Sequence, residues 1–99
     1  MSQVTHVVLV EWEPGREDVV EGSVRPAIRG MAGTIPGIVD LVEGHSSSPE
    51  GLEDGLGYGL VVTFTDAAAR DAYLVDERHT AVGAQIQANA RRIVVVDVG

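Results

Sequence analysis

Apolar positions recur every second residue near both ends of the chain and every three to four residues between them, so strands and helices can be read off in order. Val4 to Trp12 reads as a strand ended by the turn residues Glu13-Pro14-Gly15. From Arg16 onward, Val20, Val24, Ala27, Ile28 and Met31 fall on one stripe of a helix. Glu17 and Asp18 suit its positive N-terminal end. Pro26 lies inside this helix and its ring should press on the carbonyl of Gly22. Glycine leaves that backbone room to bend, which predicts a kink rather than a break. Gly33-Thr34-Ile35-Pro36-Gly37 then ends the helix.

Ile38 to Gly44 is a second, shorter strand, followed by a polar stretch from His45 to Gly55 that reads as a mobile loop. Within it Ser48 as N-cap and Pro49 as first helical residue fit a single helical turn. Gly57 to Thr65 is a third strand. Asp66 caps an alanine-rich helix reaching about Val75, and Asp76 caps another through Arg91, on which His79, Val82 and Ile86 share a face. Ile93 to Val98 closes the chain as a fourth strand. The order strand, helix, strand, strand, helix pair, strand is the split βαβ, ferredoxin-like α+β plan. It puts four mainly antiparallel strands in one sheet with helices on one face, in a single domain over residues 1–99.

One helical layer leaves a question, because the first and last strands are apolar on both sides. Val4, Val8 and Val10 alternate against Val7 and Leu9, and Ile93 and Val95 against Val94 and Val96. The uncovered face is therefore expected to meet a second copy of the sheet, in a homodimer burying about 800 Å² or more per partner.

Composition narrows the partners further. With 99 residues and a formal charge of −8, the chain repels nucleic-acid phosphates and anionic lipid headgroups. It has no cysteine, no signal-peptide pattern and no apolar run near the length of a membrane span, so it reads as soluble and cytoplasmic, with neither nucleic acid nor membrane as partner.

The candidate chemistry lies in a few rings. His6 sits among strand valines, and a buried imidazole must be hydrogen-bonded or wet, which hints at an internal cavity. Tyr73 and His79 lie on the two helices between the third and fourth strands, Trp12 shares the His6 side by alternation, and Tyr58 shares the side of Leu60, Val62 and Phe64. Each has a plain structural alternative: a core histidine satisfied by a carbonyl, a core aromatic, a solvated helix residue. His45 opens the loop and reads as exposed. His6, His45 and His79 lack the short spacing of a zinc site, so no metal is expected. Glu50, Glu53 and Asp54 read as solvated loop charge. Gly55, Gly57 and Gly59 suggest close backbone approach and, with the adjacent loop, a movable rim to the cavity.

Six segments in order, Thr5-His6-Val7-Val8-Leu9-Val10, Ile35-Pro36-Gly37-Ile38, Ser48-Pro49-Glu50-Gly51-Leu52, Val62-Thr63-Phe64, Ala72-Tyr73-Leu74 with Glu77-Arg78-His79, and Val94-Val95-Val96-Asp97, resemble the stress-responsive dimeric α/β-barrel (Dabb) family. The resemblance implies a dimeric barrel and, through relatives similar to olivetolic acid cyclase, a cofactor-independent aldol cyclisation of a poly-β-keto substrate. It implies His79 as base, with Tyr73 and His6 as partners. It also puts Tyr58 where those cyclases carry a pocket histidine; alternation, not the resemblance, makes Tyr58 and Trp12 the substrate-binding candidates, Trp12 either closing one mouth of the cavity or anchoring the core. An imidazole near pH 7 suffices for a methylene between two carbonyls, and a phenol donates to the enolate oxygen. The ligand expected is small, apolar and carbonyl-containing. Some relatives hold a cation on backbone carbonyls, here near Ala32, Ile35 and Ile38, a mode with no side-chain signature. Two other classes share the fold: a non-catalytic dimeric binding or stress-response protein, and a cofactor-free monooxygenase or haem-degrading enzyme.

Overall fold

The structure, a computed structural model, describes residues 2–99. The elements run β1 (Val4–Trp12), α1 (Glu17–Val19), a π-helical turn (Val20–Val24), α2 (Arg25–Gly30), a 3-10 turn (Met31–Gly33), β2 (Ile38–His45), β3 (Tyr58–Phe64), α3 (Ala67–Val75), α4 (Glu77–Asn89) and β4 (Ala90–Val98). The strands lie in the order β2-β3-β1-β4 with every neighbouring pair antiparallel. This is the ferredoxin-like arrangement read from the sequence.

Alternation decides which side chains face the helices. Val4, His6, Val8 and Val10 of β1 and Tyr58, Leu60, Val62 and Phe64 of β3 are buried against Val20, Val24, Ile28, Met31, Tyr73, Val82 and Ile86. Burial of each large apolar group contributes about 1.5–3 kcal/mol before entropy is set against it. Among the described residues no helix covers the opposite face, where Val7 pairs with Val61 and Val96, and Leu9 with Val94. Val42, Val96 and Val98 there are more than half exposed.

Four local expectations are corrected. Pro26 lies not in the interior of one helix but in the first turn of α2, directly after a π turn over Val20–Val24, where its missing N–H costs little. Ser48 caps no helical turn; its hydroxyl accepts from the Glu50 N–H at 3.2 Å in a tight turn of the loop. The last helix stops at Asn89 rather than Arg91, because Trp12 pairs with Ala90 and Glu11 with Arg92, drawing both arginines into β4. The loop does not border the cavity described below. Its ends are joined by a hydrogen bond from Ser46 N to Gly57 O at 2.7 Å, and Arg92 holds Asp54.

The helix pair that carries Tyr73 and His79 is capped as the sequence suggested. The Asp66 carboxylate accepts from Ala69 N at 2.8 Å, and that of Asp76 from Arg78 N at 2.8 Å. Gly37 sets how closely α3 approaches: its φ is +89°, and a Cβ there would lie 2.6 Å from the Ala69 Cβ.

Candidate active site

Register places the first partner. His6 stands directly opposite Asp97 on β4, on the helix side of the sheet. His6 Nδ1 lies 2.6 Å from Asp97 Oδ1, and Arg70 of α3 donates to the other carboxylate oxygen at 2.7 Å. A carboxylate accepts only, so Nδ1 carries the proton of the neutral ring and Nε2 is left as an acceptor. Burial opposes charge on Asp97, but the bonds from His6 and Arg70 outweigh it and hold the carboxyl below its ordinary range.

The helix pair supplies the other two rings. Tyr73 is 1% exposed, with its ring 5.8 Å from that of His6, 4.0 Å from that of His79 and 4.8 Å from that of Phe64. Burial alone pushes its phenol up to about 12, so it stays a neutral donor at pH 7. Burial also lowers the pKa of His79; the Leu74 backbone works against this and the neighbouring His6 with it. His79 is thus a neutral imidazole, and its Nδ1 is buried without a hydrogen-bond partner. An unpaired buried nitrogen costs about 1–3 kcal/mol, which a ligand's polar group would recover.

His6, Tyr73 and His79 all line one cavity of about 220 Å³ between the sheet and the helix pair. Its walls are otherwise mostly apolar, with Val8, Met31, Leu60, Val82, Ile86 and Ile93, and no Lys, Arg, Asp or Glu lines it. An apolar protein cavity of about 150 Å³ is known to hold benzene, so a substituted ring or a short chain fits here.

Tyr58 and Trp12 do not share this cavity. Trp12 lies six residues along β1 from His6, about 20 Å away. It packs on Tyr58 with ring centroids 5.1 Å apart, and its indole nitrogen is buried without a partner. The Tyr58 hydroxyl donates to Glu43 Oε2 at 2.8 Å, and the same carboxylate receives Arg25 at 2.8 and 3.2 Å and Arg29 at 3.0 Å. Burial opposes the Glu43 charge, but these donors together hold its carboxyl at about 2. Tyr58 is pushed well up, by burial first and Glu43 second. The expectation that Tyr58 lines the histidine cavity is thus corrected by the packing of β2 on α2. His45 is exposed and its Nε2 pairs with Glu21 at 3.0 Å. Among the described residues no group of three or more His, Cys, Asp or Glu is placed to hold a metal ion. The Thr34 carbonyl, in the 32–38 stretch, accepts from Arg78 at 2.6 Å.

Asp97 and Arg70 were missed in the sequence. The parity of Asp97 with Val95 on a strand paired to β1 was the available signal.

A family model described as the Stress responsive A/B Barrel Domain, Dabb, matches residues 4–99. The chain belongs to the Dabb family. This Dabb protein is similar to a dimeric ferredoxin-like protein of unknown function from Jannaschia sp. CCS1, at 30% identity over 99% of each chain with a TM-score of 0.86. It also resembles a Dabb family protein with a ferredoxin-like fold from Mesorhizobium loti, at 17% identity over 100% of this chain and 97% of that one, TM-score 0.82. The hydroxynitrile lyase from Passiflora edulis matches at 15% identity over 98% and 92%, TM-score 0.88, which shows a shared fold. No protein of curated function matches the sequence. Among the described residues of this Dabb protein, no helix is long and apolar enough to cross a membrane.

Proposed function

We propose that this Dabb protein is a cofactor-independent enzyme of polyketide-cyclase type, which removes a proton beside a carbonyl of a small neutral substrate and closes a carbon–carbon bond. The observation that carries the reading is the convergence of two imidazoles and a phenol on one uncharged hollow. The methylene C–H between two carbonyls breaks, its proton passes to an imidazole, and its electron pair moves into an enolate whose oxygen accepts from Tyr73. The enolate carbon then attacks a second carbonyl of the same molecule, and the alkoxide formed takes the proton back from the imidazolium. His6 suits the proton acceptor because Asp97 fixes its tautomer and faces the positive ring that forms. The resemblance to the plant cyclases implies His79 for that step instead. With its unpartnered Nδ1, His79 also suits a hydrogen bond to the substrate's polar group. Breaking a hydroxynitrile makes a similar demand, a proton acceptor beside a forming carbonyl, and a protein of that name shares the fold.

The enzyme is a homodimer in this reading, with the exposed valine face of the sheet covered by its twin. The relative from Jannaschia is described as dimeric.

A thermal-shift screen of β-keto esters and aromatic polyketides on the wild type and on His79→Ala, with turnover of a poly-β-keto thioester measured alongside, tests the proposal. A ligand at a hundred times its Kd adds about 2.7 kcal/mol of stability to the wild type. Replacing His6 or His79 by alanine is expected to lower turnover about 10²-fold or more. Stabilisation without any turnover would return the chain to the binding-protein class, and no stabilisation by any compound would remove the reading.

A further inference from the structure

Gly83 lies in the interior of α4, where glycine is among the poorest helix formers. Nothing packed against it accounts for the choice. A Cβ at Gly83 would meet no atom within 4 Å, whereas one at Gly37 would collide with Ala69. Its helix neighbours Val82 and Ile86 are buried, while Gly83 is only partly so and lines the cavity. At this outer end the lining is completed by Leu74 and Val95, 42% and 54% exposed, and by exposed Gln87. The cavity therefore has a buried end bearing the rings and an open end between α4 and β4. At the open end α4 presents the bare backbone of Gly83 beside the exposed Gln87, and the side chains facing it from α3 and β4, Leu74 and Val95, are apolar.

We propose that Gly83 is the size-selecting position of this cavity, its missing side chain leaving the gap through which the apolar chain of a neutral ligand extends. The assignment rests on the reading of the cavity as a ligand site. An alanine or larger residue at 83 would favour the helix and narrow the gap. The glycine is then the residue of choice only if the gap is used.

The test compares the wild type with Gly83→Ala, Gly83→Leu and, as control, Ala84→Leu on the exposed side of α4. Probes are 1-butanol and 1-decanol, which need only an apolar space, and ethyl acetoacetate and ethyl 3-oxodecanoate, which add the β-keto group. Gly83→Ala is expected to raise the melting temperature by about 4–8 °C, the effect of a helix-interior Gly→Ala in a domain of this size. Gly83→Leu is expected to weaken 1-decanol and the long ester by about tenfold or more, and 1-butanol by less than about twofold. Ala84→Leu should leave all four within about twofold. Equal losses for short and long probes, no loss at all, or no binding of either alkanol to the wild type would overturn the assignment. So would a Gly83→Ala variant that melts lower or loses its oligomeric state, since the bare backbone would then be a packing surface. If alkanols sort by length but the esters bind no better than alkanols of equal length, the role of Gly83 stands and the carbonyl chemistry falls.

Discussion

The two ends of the helix-covered sheet face each hold a buried tyrosine, and they use it in opposite ways. At one end Tyr58 donates to Glu43, which also receives Arg25 and Arg29, so the cluster is saturated. At the other, Tyr73 and His79 face a hollow, burial is the only influence raising the Tyr73 phenol, and the His79 Nδ1 has no partner. A polar group buried with all its bonds made holds a fold together; one buried with bonds unmade is a cost the fold itself does not explain. Strongly perturbed acids and phenols occur at both ends, so perturbation alone would not separate them. The bonds of the titratable groups do: those of Tyr58 and Glu43 are made, Trp12 Nε1 beside them being a non-titrating donor, while the His79 Nδ1 is open.

The largest effect that can break this contrast is Glu43→Ala. It leaves the half-buried Arg25 with Glu21 as its one remaining partner, releases Arg29 and unpairs the Tyr58 hydroxyl, and is expected to cost about 3 kcal/mol in urea unfolding, less than the loss of one partner from a fully buried ion pair. His79→Ala, which strands no charged group, should cost far less. If the two variants unfold alike, the saturated end is not the structural one.

The sequence made the frame legible and hid the cluster that distinguishes the ends. Val4 to Trp12 announces itself by alternation, and His79, Val82 and Ile86 by helical spacing, because both signals are local. Asp97 was invisible as the partner of His6 because the two are 91 residues apart and meet only once β1 and β4 pair in register. Glu43 shares the helix side with Leu41, an odd place for a carboxylate, yet its meaning depends on α2 packing over β2. Tyr58 was assigned to the wrong end for the same reason: alternation gives the face, and only tertiary packing gives the place along it. Arg91 reads as helix because arginine favours one, and strand pairing of its neighbours Ala90 and Arg92 with β1 overrides the preference.

The matched pair of tyrosine substitutions sharpens the comparison at intermediate size. Tyr58→Phe removes a hydrogen bond to a charged group and should cost about 1.5–3 kcal/mol of stability. Tyr73→Phe removes a hydroxyl that holds no protein group and should change stability by less than about 0.5 kcal/mol. Turnover of a β-keto thioester should reverse the ranking, with Tyr73→Phe about 10²-fold slower for want of the enolate donor. Tyr58→Phe should remain near wild type. A Tyr73→Phe variant that is destabilised but active would place that hydroxyl in the scaffold.

The smallest effect separates the ends by pH. Glu43 is held at about 2 in the fold against an ordinary 4.5, so its stabilisation is present above 4.5 and is lost as the pH falls from there toward 2. His79 is shifted in the other sense for its charge: burial lowers it below 6.5, so the unfolded chain takes up the proton first. Stability from keeping it neutral is therefore complete above 6.5 and falls as the pH drops through that value toward its folded pKa. Urea unfolding at pH 7.5, 5.5 and 3.5 reads both windows. His79→Gln should flatten the change between 7.5 and 5.5 and leave the lower window, whereas Glu43→Gln should do the reverse. An unchanged slope between 7.5 and 5.5 in His79→Gln would mean that the ring is already solvated in the fold. The hollow it lines would then lack the dry imidazole on which its chemistry depends.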